Sequence, residues 1–173
     1  MSKKIICPHC GSKKVKKLEE YYLCDDCKNS FGRTALSDKG IPMVEAVKGL
    51  RFRYGDIVSG SARLRMIQEK DGSCVYEVYD ANEGGIDKVA DVLSSEEWTK
   101  LKESLFQDLY LADWNRLYIP NNDGKMLLDN NEWELGIDIS WDEVYEYYGY
   151  DAYPPYWKDL MKLIEPFFNK LSK

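Results

Sequence analysis

Glu132-Trp133-Glu134-Leu135-Gly136-Ile137-Asp138-Ile139-Ser140-Trp141 puts an apolar residue at every second position from Trp133 onward, with acids among the residues between. Side chains along a β-strand point alternately to the two sides of a sheet, so this stretch predicts a strand with one apolar and one acidic face. Leu50-Arg51-Phe52-Arg53-Tyr54 and Arg63-Leu64-Arg65-Met66 alternate in the same way, and Ser59-Gly60-Ser61 between them reads as a turn. Antiparallel pairing that keeps the apolar residues together puts Arg51, Arg53, Arg63 and Arg65 on one face. Cys74-Val75-Tyr76-Glu77-Val78-Tyr79 supplies a third strand.

Helical signals frame the other end of the chain. Ser94-Ser95-Glu96-Glu97 is a capping-box start, followed by Trp98, Leu101, Leu105 and Leu109 at helical spacing. A second helix begins near Tyr156, its stripe formed by Trp157, Leu160, Met161, Ile164 and Phe168, and Pro166 is expected to kink or end it. Between the helices, 125–128, 132–141 and 143–148 read as strands, with Asp129-Asn130-Asn131 as a hairpin turn. The expected class is α+β: an antiparallel sheet in the order β-β-β-α-β-β-β-α, with both helices on one face.

The first 33 residues follow a different logic. Cys7-Pro8-His9-Cys10 and Cys24-Asp25-Asp26-Cys27 are two Cys-x-x-Cys pairs. Each pair presents two sulfurs from one tight turn, and two turns facing each other complete a tetrahedral site suited to zinc. Gly11 follows the first pair, where positive φ helps the chain turn under the metal. Lys28-Asn29 follows the second, with Asn29 the residue more tolerant of the left-handed conformation. Strands over 13–18 and 21–23, joined near Glu19-Glu20, make a ribbon too small to bury a core, so metal would supply most of its folding free energy, about 10 to 16 kcal/mol in comparable peptides. Iron or a dithiol redox pair are the other readings of the spacing.

Cys7-Pro8-His9-Cys10-Gly11, the hairpin, and then Tyr22 through Phe31 with its second cysteine pair resemble a zinc ribbon of the kind found near the amino termini of transposase-related and transcription-associated proteins. The resemblance covers residues 1–33 and implies zinc ligation by Cys7, Cys10, Cys24 and Cys27. It leaves the partner open, since such ribbons bind DNA, RNA or protein. Lys28 stands where the second turn often has Gly. Farther on, Gly149-Tyr150-Asp151-Ala152-Tyr153-Pro154, with Trp133, Leu135 and Ile137, is similar to uncharacterised bacterial proteins with a Gly-x-Asn-Ala-Tyr-Pro pattern, Asp151 replacing the Asn. That likeness implies no activity.

His9 is the single histidine. Four thiolates saturate a tetrahedral site, so it is expected to face solvent. Cys74 reads as a small buried hydrophobe. Ser37-Asp38-Lys39-Gly40 and Pro42 have linker composition, which divides the chain into a ribbon (1–33), a linker (34–42) and an α+β domain (43–173).

The net charge of −6 hides an asymmetry: residues 1–33 carry eight basic and four acidic residues, 34–66 six and three, and 67–173 ten and twenty-three. A basic front suggests nucleic-acid or acidic-partner binding through Lys13, Lys14, Lys16 and Lys17. The two regions attracting each other is the alternative. The arginine face likewise has two readings, a surface gripping phosphates or internal pairing with Glu132, Glu134 and Asp138. The aromatic run from Trp141 to Trp157 is read as core and edge packing, with stacking on a sugar or base as its functional alternative.

No phosphate loop, nucleophile elbow or His-Glu-x-x-His helix occurs, and an acid/base pair cannot be singled out among the acids. No apolar run reaches the length of a membrane span, the start lacks the apolar stretch of a secretion signal, and metal-spaced cysteines with an odd fifth suit a reducing compartment, so the cytoplasm is expected. The expected function is a non-enzymatic zinc-ribbon module associating with nucleic acid or a nucleoprotein. A protein-interaction adaptor, or an enzyme or carbohydrate binder built on the aromatic cluster, are the alternatives.

Overall fold

The computed structural model describes residues 3–56, 60–82, 85–120 and 131–172. The ribbon comprises β1 (Val15–Lys17), β2 (Tyr22–Cys24) and β3 (Ser30–Phe31), paired antiparallel in that order. Leu18 N–H donates to Tyr21 O at 2.8 Å and closes the hairpin over Glu19-Glu20. The expected strand at 125–128 and the turn residues Asp129 and Asn130 lie outside the described residues, as does Ser59. Gly60 and Ser61, expected in a turn, begin a strand instead.

After a single helical turn, α1 (Met43–Ala46), come β4 (Gly49–Asp56), β5 (Gly60–Gln68), β6 (Cys74–Asn82) and β7 (Gly85–Leu93). Then follow α2 (Ser95–Glu103), β8 (Leu117–Tyr118), β9 (Glu132–Ser140), β10 (Glu143–Tyr150) and α3 (Trp157–Phe168). The sheet has the order β7-β6-β5-β4-β9-β10-β8, antiparallel except for the short β8–β10 pairing. The protein is α+β as expected, but β7 is a fourth strand before α2 that the alternation did not reveal.

Register explains the layering. Leu50 opposes Met66 and Ile137, and Phe52 opposes Leu64 and Leu135. All six are 2% exposed or less. Both long helices cover this apolar side. Trp157 and Phe168 of α3 meet Phe52 at ring-centroid distances of 6.0 and 6.2 Å, and Phe167 meets Tyr76 at 4.9 Å. Leu160 and Ile164 are buried beneath them. α3 runs two residues past Pro166 before the chain tightens into a 3₁₀ turn at Asn169–Ser172, so the proline sits within the last turn of the helix.

The capping box forms at α2: Ser94 Oγ accepts from Glu97 N–H at 3.1 Å and Glu97 Oε2 accepts from Ser94 N–H at 2.8 Å. The helix then widens into a π turn at Ser104–Asp108, closed by Leu109 N–H donating to Ser104 O at 3.0 Å. This brings Leu105 and Leu109 into the core and leaves Tyr110 at φ 53°. A bulky residue there carries strain of about 1 to 3 kcal/mol. Its ring is placed where the ribbon docks.

That docking is aromatic. Tyr110 packs edge-on to Phe31, Tyr22 and Tyr156 at 5.2, 6.1 and 5.7 Å. Tyr156 O–H donates to Ile6 O at 2.8 Å and accepts from Ile6 N–H at 3.1 Å. Gly32 N–H donates to Asp113 Oδ2 at 3.0 Å. The ribbon therefore lies on the helix-bearing side of the molecule. The segment expected as a linker makes a turn bonded to β10: Asp38 N–H donates to Glu143 Oε1 at 2.8 Å and Tyr145 O–H to Asp38 Oδ1 at 3.1 Å. Among the described residues no helix is long and apolar enough to cross a membrane.

Candidate metal centre

The two cysteine turns are built alike. Cys7 N–H donates to Ser12 O at 2.9 Å and Gly11 N–H to Cys7 O at 2.8 Å; Cys24 N–H donates to Asn29 O at 3.0 Å and Lys28 N–H to Cys24 O at 3.1 Å. In each, the residue four places after the first cysteine takes positive φ, 76° at Gly11 and 63° at Lys28. The second turn thus adopts the geometry of the first without its glycine. Lys28, rather than the expected Asn29, carries the left-handed conformation. Asn29 has another task, its Nδ2 donating to Cys27 Sγ at 3.4 Å.

These turns bring Cys7, Cys10, Cys24 and Cys27 together, with all four sulfurs within 4.8 Å of one another. Cys7 and Cys27 lie 3.6 Å apart, as do Cys10 and Cys24. Sulfurs at the corners of a tetrahedron with metal–sulfur bonds of about 2.3 Å are about 3.8 Å apart, whereas a disulfide needs about 2.05 Å. The donor set therefore fits a metal, and the four cysteines could hold one ion. None of the five cysteines is in a disulfide.

Electrostatics favour a cation at the centre of the cluster. Burial pushes the Cys7 thiol up to about 12, against N–H groups of its own turn. At Cys27 burial acts in the same sense but is outweighed by the Asn29 N–H and the neighbouring sulfurs, which bring that thiol down to about 7. Four sulfurs this close share several negative charges only around a positive ion, and binding it displaces their protons. His9 is half-buried and outside the cluster. Asp113, beneath the ribbon, is pushed above the usual carboxylate range by burial, with the Gly32 N–H and His9 acting the other way. Burial likewise pushes the thiol of Cys74 up to about 11.

The basic residues separate into two sets. Lys13, Lys14, Lys16 and Lys17 are all exposed on the ribbon; Lys14 reaches Asp26 at 3.5 Å and Lys16 reaches Asp25 at 3.2 Å. The arginines lie on the sheet face opposite the helices. Arg51 pairs with Asp138 at 3.0 Å and Glu146 at 3.5 Å, and Arg53 with Glu132 at 3.5 Å and Glu134 at 3.6 Å. Arg51 crosses β9 over Gly136, where a Cβ would sit 2.6 Å from its guanidinium, so a larger residue there would make the arginine shift. Arg63 and Arg65 are exposed, and neither makes an ion pair among the described residues. The ribbon and the arginines do not form one continuous basic surface.

Most of the aromatic run is packing. Tyr147 and Tyr156 are buried, and Trp157 stacks among Trp133, Phe52, Tyr54 and Tyr153. Trp141, at the tip of the β9–β10 hairpin, is 94% exposed. Asp151 stands at φ 46°, a conformation that Asn and Asp adopt more readily than most residues, and its carboxylate accepts from Asn131 N–H at 2.9 Å. Searches for family models, curated proteins and solved structures found no match to this chain.

Proposed function

We propose that the chain is a non-enzymatic binding module in which a structural zinc ion, held by Cys7, Cys10, Cys24 and Cys27, fixes the ribbon on the helical layer of an α+β domain. The observation that carries this reading is the convergence of four sulfurs to within 4.8 Å on two turns of the same hydrogen-bonded form. Zinc suits an all-thiolate tetrahedral set and brings no redox chemistry of its own. The ribbon associates with nucleic acid or a nucleoprotein through Lys13, Lys14, Lys16 and Lys17, of which Lys13 and Lys17 have no acidic partner among the described residues. Four cysteines placed as metal ligands and a fifth, Cys74, buried alone support a place in a reducing compartment, the cytoplasm.

The test is binding of zinc-loaded protein to DNA and RNA at low salt. Modest, sequence-tolerant affinity that falls steeply with salt is expected, with a flatter slope after all four lysines are changed to Ala. Absence of binding would sink the nucleic-acid part of the proposal. A second reading, a protein-interaction adaptor, is favoured by one observation: Trp141, Leu36, Ile41 and Val144 are exposed apolar residues, 94%, 54%, 43% and 41% accessible. Loss of a protein partner on Trp141→Ala, with nucleic-acid binding absent, would establish that reading instead.

A further inference from the structure

The sheet has two sides, and among the described residues only one is covered. On the open side, register aligns Lys88, Tyr79, Arg63, Arg53, Glu134 and Tyr148 in one cross-strand row. The neighbouring row contains Glu77, Arg65, Arg51 and Glu146. Arg51 directly opposes Arg65 and Arg53 directly opposes Arg63, and like charges in such positions are destabilising. The β4 arginines are compensated by the acids of β9 and β10. Neither β5 arginine makes such an ion pair among the described residues: Arg65 lies opposite Glu77 and, after Tyr79 and Lys88, helps to lower its pKa, and Arg63 lies opposite Tyr79.

The carboxylate opposite Arg65 and the one lining the groove have other partners as well. Glu77 pairs with Lys88 at 3.0 Å and accepts from the Tyr79 hydroxyl, and Glu134 is held by Arg53. Above the arginines lies a groove of about 670 Å³, lined by all four and by Tyr79 and Glu134. That volume falls in the range of small-molecule sites. Two exposed guanidiniums facing such a space, neither held in an ion pair among the described residues, leave room for an anion from outside.

We propose that this groove binds a small phosphorylated ligand, its phosphate clamped between Arg63 and Arg65. Arginine forks match phosphate oxygens with paired, charge-assisted hydrogen bonds. A phosphate, carrying a charge of about −1.5 to −2, competes for them better than another carboxylate. The size follows from the walls: Glu77 on β6 and Glu134 on β9 are three strand spacings apart, about 14 Å. A compact dianion fits between them, whereas a nucleic-acid strand lying along the groove runs its charge past both. The groove is on the side away from the ribbon, so this inference does not depend on the ribbon lysines.

The experiment is calorimetric titration of the full zinc-loaded chain at low salt with inorganic pyrophosphate and, separately, with a single-stranded DNA oligonucleotide. Arg63→Ala, Arg65→Ala and the double variant are compared with the unaltered protein, each with a thermal melt and a sedimentation run. Pyrophosphate should bind, each substitution should weaken it about tenfold, and the double variant should melt no lower than the parent, since it relieves two like-charge pairs. Absence of pyrophosphate binding, or binding that survives the double substitution, overturns the proposal. Oligonucleotide binding that is tighter than pyrophosphate and lost in the double variant identifies a strand interface instead. A dimer that the same substitutions dissolve identifies a second copy as the source of the counter-charge. A lower melt in the double variant shows the arginines to be structural.

Discussion

The ribbon and the sheet reach order by opposite means. In the sheet, Trp133, Leu135 and Ile137 of β9 are each at most 1% exposed, and the strand is held by what its side chains bury. In the ribbon, β1 has no fully buried residue, and the innermost side chains are two cysteines and Phe31. A strand pair so poor in apolar contact is marginal by itself. The difference teaches where each region is vulnerable: the sheet to cavities, the ribbon to loss of the metal its four cysteines could hold and of its dock at Tyr110 and Tyr156.

The largest expected effect separates the two regions outright. Changing Cys7 and Cys10 to Ser, or removing metal with a chelator, should cost the ribbon the whole of its metal-linked folding free energy, about 10 kcal/mol or more. Residues 43–173 should remain folded, because the sheet and its helices bury many apolar side chains of their own, with Cys7, Cys24 and Phe31 only one margin of the shared core. Circular dichroism would show a retained cooperative melt of the sheet, while amide exchange over residues 5–31 becomes fast. Collapse of the whole chain would abolish the distinction.

A smaller effect probes the seam. Tyr156→Phe removes both hydrogen bonds to Ile6 and leaves its N–H and C=O unpaired, at a cost of about 1 to 3 kcal/mol. The loss should appear as weaker metal retention against a competing chelator, with the melt of the sheet little changed. An equal loss in both regions would mean that they unfold together.

The third change should favour the ribbon. Lys28 holds positive φ without being glycine, so Lys28→Gly removes a penalty of about 1 kcal/mol. Metal retention should improve several-fold, while Gly11→Ala, at the matching place, should weaken it. The smallest effect concerns Asp113. Its folded carboxyl titrates above the unfolded one, so the charged form is a net cost at neutral pH, relieved as pH falls through the raised folded value. Asp113→Asn keeps an acceptor for Gly32 N–H and should raise stability slightly at pH 7. That gain should close as the solution is acidified.

What the chain discloses to a reader of its sequence follows the same division. β4, β5 and β9 are legible because their alternation is clean, and the capping box at Ser94 marks α2 to the residue. β7 is hidden because it is an edge strand: Asp91 points to the covered side and bonds to Lys170, while Val92 is 54% exposed, so its polarity pattern is inverted. The four-cysteine cluster is legible from spacing. The left-handed Lys28 is not, since only backbone hydrogen bonding reveals it. Nor is the aromatic dock, because Tyr22, Phe31, Tyr110 and Tyr156 are remote in sequence and carry no shared local signal. The arginine face is visible as a face, but which arginines find acids depends on register, and register sets the acids of β9 beside β4 while β5 has Glu77 alone opposite Arg65 and a tyrosine opposite Arg63.

The central claim, that a metal-held pair of cysteine turns organises the ribbon, is met most directly by elemental analysis of the native protein, purified without added metal and paired with a thiol count. The account predicts one zinc per chain, released when the four cysteines are titrated with a thiol-reactive mercurial, and no disulfide. Iron in place of zinc, or a metal-free chain with its cysteines oxidised in pairs, would contradict it.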